Sequence, residues 1–270
     1  MTDSGIDAAR GAIASAGRLL IAAGAGMGVD SGLPDFRGDE GFWRAYPPLR
    51  GRSFAEMANP RWFDEDPEVA WGFYGHRQSL YERTVPHAGF ARLLELAESR
   101  PDFAFVFTSN VDGHFQAAGF AEDRVLECHG SLRHRQCNLP CGKDIWLADT
   151  PPAVDESTFR AFGPLPRCRN CDAVARPNVL MFGDHRWVSH RADSQVARYA
   201  AWLDRCEGER VVAVECGAGT AVPTVRLETA RQADVVVRIN VREPQSDGVG
   251  GAEVVSLPMP AAEALAAVLA

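Results

Sequence analysis

The stretch that most restricts the fold is Gly24-Ala25-Gly26-Met27-Gly28-Val29-Asp30-Ser31-Gly32-Leu33-Pro34-Asp35-Phe36-Arg37-Gly38. Immediately before it, Arg18 to Ala23 is a short apolar run, long enough for one buried strand and too short for a lone core helix. A strand therefore delivers the chain into a glycine-rich turn. Gly24, Gly26 and Gly28 carry no Cβ, so the backbone can turn sharply and its N–H groups can approach a bulky anion, a spacing that suits a pyrophosphate. The same pattern also occurs as a plain tight turn, and no acidic ribose ligand stands about 20 residues on, where the ordinary dinucleotide fingerprint places one. Pro34 to Arg37 then sets a rigid turn, a carboxylate, an aromatic plate and a guanidinium side by side, a costly cluster for a surface loop with no ligand.

The 270 residues are 46% hydrophobic and 24% charged, which fits a soluble globular protein with room for one large domain or a large and a small one. A net charge of −8 gives no support for tight nucleic-acid binding and leaves basic protein substrates acceptable. No run of about 18 apolar residues and no charged-then-apolar N-terminus is present, so neither a membrane span nor a secretory signal is expected, and the cytoplasm is. Seven cysteines without such a signal point to a reducing compartment and a metal role over a disulfide framework.

In chain order, Ile6 to Ala16 reads as a small-residue helix with Asp3 or Ser4 as N-cap. An aromatic-rich segment follows, broken by Pro47, Pro48, Pro60 and Pro67, and reads as a small helical subdomain with its own core. Within it Tyr74 and Arg77, three apart, share a helix face and can jointly bind a carboxylate; a solvated face is the alternative. His87 opens a helix that ends before Pro101 and reads as structural. Phe103 to Thr108 is a second strand, and Ser109, Asn110 and Asp112 leave its C-terminal end, the edge where parallel α/β sheets bind ligands. An amide and a carboxylate there can grip a carboxamide. A third short strand ends at His129, the natural general base near neutral pH, while Cys128 beside it reads as a small buried apolar residue.

Cys137 and Cys141, then Cys168 and Cys171 after 26 residues, form two thiolate knuckles with the donor set of a closed structural zinc site; four isolated buried thiols are the alternative. The proline-rich loop between them reads as an excursion from the ribbon. Arg176 to Asp184 is expected to return the chain to the main sheet. A helix from Ser189 to Arg205, a strand from Arg210 to Glu215, a last inner strand from Asp234 to Asn240, an edge strand Glu253 to Leu257 and a closing helix from Ala261 complete the chain.

Gly24 to Gly38 closely resembles the cofactor signature of the sirtuins, the NAD-dependent protein deacylases, and five further motifs match that family in order as far as Asn240. The resemblance implies an α/β fold: a doubly wound parallel Rossmann-like sheet with a smaller helical and zinc-ribbon domain. Residues 1–40, 84–132 and 176–270 would form the NAD-binding domain, 41–83 the helical part of the small one and 133–175 its zinc-binding part. It implies that Gly24, Ala25, Gly26, Asp35, Phe36 and Arg37 enclose NAD together with Ser109, Asn110 and Asp112. Gly217 and Gly219 would form a second backbone cradle, and Asn240 would contact the adenine ribose. His129 matches the catalytic base, expected to free a ribose hydroxyl after the acyl oxygen displaces nicotinamide, so that lysine and O-acyl-ADP-ribose are released. Tyr74 and Arg77 are similar to the motif by which some sirtuins accept succinyl, malonyl or glutaryl lysine, with Ala58 making room. Val179, Phe182 and Gly183 fall where an extended peptide substrate adds a strand.

Gly28 for serine, Ser109 for glutamine, Ala218 and Asp184 depart from the family pattern. Gly28, Ser109 and Ala218 suggest a rival reading, a protein mono-ADP-ribosyltransferase or NAD hydrolase on the same fold, and a non-catalytic NAD sensor is a second. The implied partners are acylated-lysine proteins, with neither nucleic acid nor membrane, and a monomer is favoured.

Overall fold

The computed structural model describes residues 2–34, 42–44, 46–139, 141–246, 248 and 250–270, the side chains of residues 2 and 3 excepted. The cofactor residues expected at Asp35, Phe36 and Arg37 lie outside the described residues.

Eleven strands are described: β1 (Arg18–Ala23), β2 (Ala104–Thr108), β3 (Val125–Glu127), β4 (Gly130–Cys137), β5 (Ile145–Leu147), β6 (Ala153–Asp155), β7 (Arg160–Phe162), β8 (Ala175–Val179), β9 (Val211–Cys216), β10 (Val235–Ile239) and β11 (Glu253–Leu257). Six of them make one sheet in the order β11-β10-β9-β1-β2-β3, every pairing parallel. A parallel sheet is covered on both faces, which is why β1, β2, β9 and β10 read as nearly unbroken apolar runs. Helices Thr2–Ala14, Ala88–Glu98 and Ala261–Val268 pack on one face, helices His190–Asp204 and Thr224–Gln232 on the other. The first helix starts ahead of the expected cap, so Asp3 and Ser4 lie within its opening turn. Two charges interrupt the inner strands and answer each other: Arg238 Nε donates to Glu215 Oε1 at 2.6 Å, and the Thr229 hydroxyl donates to Glu215 Oε2 at 2.6 Å. Removing one member would strand a buried charge, at about 3–5 kcal/mol.

The chain enters at β1, runs outward through β2 to β3, then restarts at β9 on the other side of β1. This reversal is a topological switch point, where a crevice opens above the strand ends. Ala23 is in register with Thr108 and Cys216, and Cys216 with Ile239. Gly24, Ser109, Gly217 and Asn240 therefore leave the sheet side by side.

A second body packs over this edge. Helix Pro67–Arg83 is capped by Asp66, whose Oδ1 accepts from Val69 N–H, and has Pro67 in its first turn. It buries Trp71, Phe73 and Tyr74 among Phe42, Tyr46 and Phe63, each ring contributing about 1.5–3 kcal/mol of apolar burial. The segment between the cysteine pairs is more ordered than expected. β5 pairs with β4, and β6 and β7 form a hairpin whose Phe159 carbonyl presses on Gly72, where a Cβ would lie 1.9 Å away. The expectation that Arg176 to Asp184 rejoins the main sheet is corrected: β8 pairs antiparallel with β4 in a separate three-stranded sheet, and the chain returns to the main sheet at β9.

Candidate active site

Between the sheet edge and the second body lies a cleft of about 610 Å³. Its floor is Gly24, Ala25, Ser109, Asn110, Asp112 and His129; one wall carries Ala58, Tyr74, Arg77 and Tyr81; another runs along Val179 to Phe182; and Ala218, Gly219 and Val222 line the far end. Of the expected site residues, Gly26, Gly217, Asn240 and Gly183 do not line this cleft but brace its walls. Gly26 N–H donates to the Gly217 carbonyl at 3.0 Å. A Cβ on Gly217, whose φ is +63°, would sit 2.3 Å from Gly26, and a Cβ on Gly24 would sit 2.8 Å from Ala218. These glycines are required because two loops cross in contact, a non-local reason beside the anion approach read from the sequence. Asn240 directs its amide to the Ala218 carbonyl at 2.7 Å, and its oxygen accepts from Arg242 and Glu243 N–H. Gly28, where relatives were expected to carry serine, faces Leu33: a Cβ would meet that side chain at 2.8 Å.

His129 follows β3 by two residues, and Cys128 N–H donates to the Thr108 carbonyl at 2.9 Å, which continues the ladder to the histidine. Its carbonyl accepts from Leu180 N–H at 2.9 Å, so the histidine is tied to the segment after β8. Gly130 next to it has φ +79°, and a Cβ there would lie 2.1 Å from the Asn178 carbonyl. Burial pulls the His129 imidazole below its ordinary value of 6.5, opposed by a backbone bond at Ser109. The ring is therefore neutral at pH 7 and able to take a proton. Asn110 Nδ2 donates to the Gly24 carbonyl at 3.0 Å, and Asp112 Oδ1 accepts from His114 N–H at 2.9 Å, which fixes both polar groups on the floor. His87 is structural as read: its Nδ1 accepts from Gly89 N–H at 3.0 Å and its Nε2 lies 3.1 Å from the Met27 carbonyl. Burial pushes the Cys128 thiol up to about 12, in keeping with an inert residue.

On the opposite wall, Arg77 is only 6% exposed and lies among the rings of Phe54, Phe73, Tyr74 and Tyr81. Its Nε and Nη2 donate to the Tyr81 hydroxyl at 3.1 and 2.9 Å. The Tyr74 hydroxyl, buried and raised in pKa by that burial, has no hydrogen-bond partner among the described residues. Tyr81 was not singled out from the sequence, although its spacing of four from Arg77 on one helix carries the signal. Ala58 ties this wall to the one along Val179 to Phe182: its carbonyl accepts from Phe182 N–H at 2.9 Å. Gly183 has φ +69°, a conformation that favours glycine.

The Sγ atoms of Cys137, Cys141, Cys168 and Cys171 all lie within 4.8 Å of one another, with Cys137–Cys171 and Cys141–Cys168 at 3.6 Å. Tetrahedral zinc with bonds of about 2.3 Å needs sulfur–sulfur edges of about 3.8 Å. The four thiols therefore fit a closed structural site, and the reading of four isolated thiols fails. The knuckles sit between β4 and β8, the strand that leads to the cleft wall at Val179.

A doubly wound parallel sheet, a cleft at its switch point and a four-cysteine module beside it define a class of nucleotide-binding α/β proteins. The model of the Sir2 family matches residues 24–200, and the chain belongs to that family. It is similar to an NAD-dependent protein deacylase of Leptospira interrogans, 34% identical over 168 residues, 62% of this chain and 61% of that one. It is also similar to an NAD-dependent protein deacetylase of Saccharolobus solfataricus, 33% identical over 161 residues, 60% of this chain and 58% of the relative. The chain thus spans about three fifths of the length of these curated relatives. Among solved structures, a point mutant of a Sir2 homologue in complex with ADP-ribose has TM-score 0.71 and 25% identity, covering 96% of this chain and 93% of that one. A Sir2 homologue–NAD complex has TM-score 0.71 at 23% identity, covering 97% and 92%, a likeness of fold. No helix among the described residues is long and apolar enough to cross a membrane.

Proposed function

We propose that this protein is an NAD-dependent protein-lysine deacylase that releases nicotinamide and O-acyl-ADP-ribose, with a preference for acyl groups that end in a carboxylate. The observation that carries the reading is that one cleft joins a neutral, half-buried His129 and the anchored Asn110 and Asp112 to a buried arginine on the facing wall. The donor set suits NAD. Asn110 and Asp112 would take the nicotinamide end, Gly24 and Ala25 the phosphates, with Asp35, Phe36 and Arg37, and Gly217, Gly219 and Asn240 would shape the adenosine end beside Ser109. When bound, NAD supplies an ADP-ribosyl group to which an acyl oxygen can be transferred as nicotinamide leaves.

His129 acts as the base that accepts a hydroxyl proton, a role that needs its unprotonated form. An extended substrate peptide lies as an added strand against Val179 to Gly183, where Leu180 and Phe182 are exposed apolar residues. The acyl lysine enters past Ala58, and a distal carboxylate meets Arg77 and the unpartnered Tyr74 hydroxyl. Zinc held by Cys137, Cys141, Cys168 and Cys171 supplies structure only.

The test is product analysis with NAD and acyl-lysine peptides. H129A is expected to lose at least 100-fold in turnover while still binding NAD, and full activity in that variant contradicts the mechanism. Label from NAD appearing on protein, with no deacylated peptide, would replace this reading with ADP-ribosyl transfer, which the departures at Gly28, Ser109 and Ala218 raise.

A further inference from the structure

Where the turn Glu122–Arg124 meets helix His190–Asp204 lies a hollow of about 460 Å³ that shares no lining residue with the cleft and is lined by Glu122, His190, Arg191, Ser194, Gln195 and Arg198. Residues 191, 194, 195 and 198 are three and four apart and so stand on one helix face. Arg191 directs Nη2 to Glu127 Oε2 at 2.6 Å, but its Nη1 is shielded from solvent and has no hydrogen-bond partner. Arg198 Nε is likewise shielded and unpartnered, and no carboxylate pairs with Arg198 among the described residues. Glu122, the one acidic group of the lining, pairs with neither arginine. In a chain of net charge −8, two guanidinium groups and an imidazole thus line one hollow, with Glu122 the one carboxylate of the lining and Glu127 pairing with Arg191 from the strand behind it.

We propose that this hollow binds a small multivalent anion of the phosphate class, as a site separate from the cleft. A merely solvated helix face would leave its arginines extended in water. Here N–H groups are withdrawn from water without a partner, which is unfavourable until a ligand supplies an acceptor. Arginine forks match phosphate oxygens, and a tetrahedral anion can accept from Arg191 and Arg198 on different edges, whereas a flat carboxylate engages one fork. The Ser194 hydroxyl donates to the His190 carbonyl at 2.8 Å and is not one of the donors. Arg191 can serve both Glu127 and the anion because its donors point to opposite sides of the fork. Gln195 Oε1 also accepts from Glu127 N–H at 3.1 Å, so the hollow shares a wall with the strand that leads to His129.

Calorimetric titration of inorganic pyrophosphate into protein saturated with ADP-ribose, which keeps the cleft occupied, tests the site. One saturable event per chain is expected, weakening as salt rises. R198Q should weaken it at least tenfold and leave ADP-ribose affinity unchanged, and E122Q, a surface change that removes the opposing carboxylate, should tighten it two- to threefold. No saturable binding up to about 10 mM pyrophosphate, an R198Q affinity equal to wild type, or an E122Q affinity no tighter than wild type would overturn the proposal.

Discussion

Arg77 is held by Tyr81, not by Tyr74: its Nε and Nη2 both reach the Tyr81 hydroxyl, at 3.1 and 2.9 Å. The tyrosine one turn further along the helix thus positions the guanidinium, and Tyr74 is left with an unpartnered hydroxyl on the cleft wall. Y81F removes a hydrogen bond to a charged group, worth about 1.5 kcal/mol or roughly tenfold. The expected outcome in steady-state kinetics is a tenfold lower kcat/KM for a succinyl-lysine peptide and a change under twofold for its acetyl counterpart.

Turnover should depend on the unprotonated form of His129. Burial lowers its pKa below 6.5, so activity is expected to be flat through pH 7 and to fall only as pH drops through that lowered value. A pH–rate profile under saturating cofactor checks this. An acid limb centred above 6.5 would contradict it.

His134 should make the fold sensitive to acid. Burial, with Arg191 and Arg133 nearby, pushes its pKa from 6.5 down to about 4. The unfolded chain therefore takes up this proton first as pH falls. Stability from the neutral ring is fully present above about 6.5 and is lost progressively between 6.5 and 4. Urea midpoints measured across that window should decline in the wild type and decline less in H134Q.

Metal removal should loosen the second body and with it the cleft. C168S, or prolonged treatment with a strong chelator, is expected to remove one zinc per chain and to lower Tm by roughly 10 °C or more, because structural zinc is bound with folding free energy. Metal analysis and a thermal melt check both. A wild-type protein purified without zinc and with an unchanged melt would contradict the site.

Much of this was legible in local sequence. The inner strands announce themselves as apolar runs broken only at Glu215 and Arg238, and the cysteine knuckles by their spacing. Non-local partners were not legible. Gly24 and Gly217 lie almost 200 residues apart in the chain, yet each is required because the loops cross in contact. β8 looked like a strand of the main sheet because no local pattern in Ala175 to Val179 distinguishes a parallel neighbour from the antiparallel partner β4. The glycine after His129 is plain in the sequence, but the reason for it, the Asn178 carbonyl 2.1 Å from a would-be Cβ, belongs to the fold. G217A is accordingly expected to disturb both loops and weaken NAD binding at least tenfold, as read by calorimetry.

The most direct test of the whole account is parallel turnover, with NAD, of one peptide carrying succinyl-lysine or acetyl-lysine by wild-type protein and R77M. The account predicts that wild type prefers the succinyl peptide by at least tenfold and that R77M loses that preference while keeping acetyl turnover. An acetyl preference in the wild type, or a succinyl preference that survives R77M, would contradict the assignment of Arg77 as the group that reads the acyl acid.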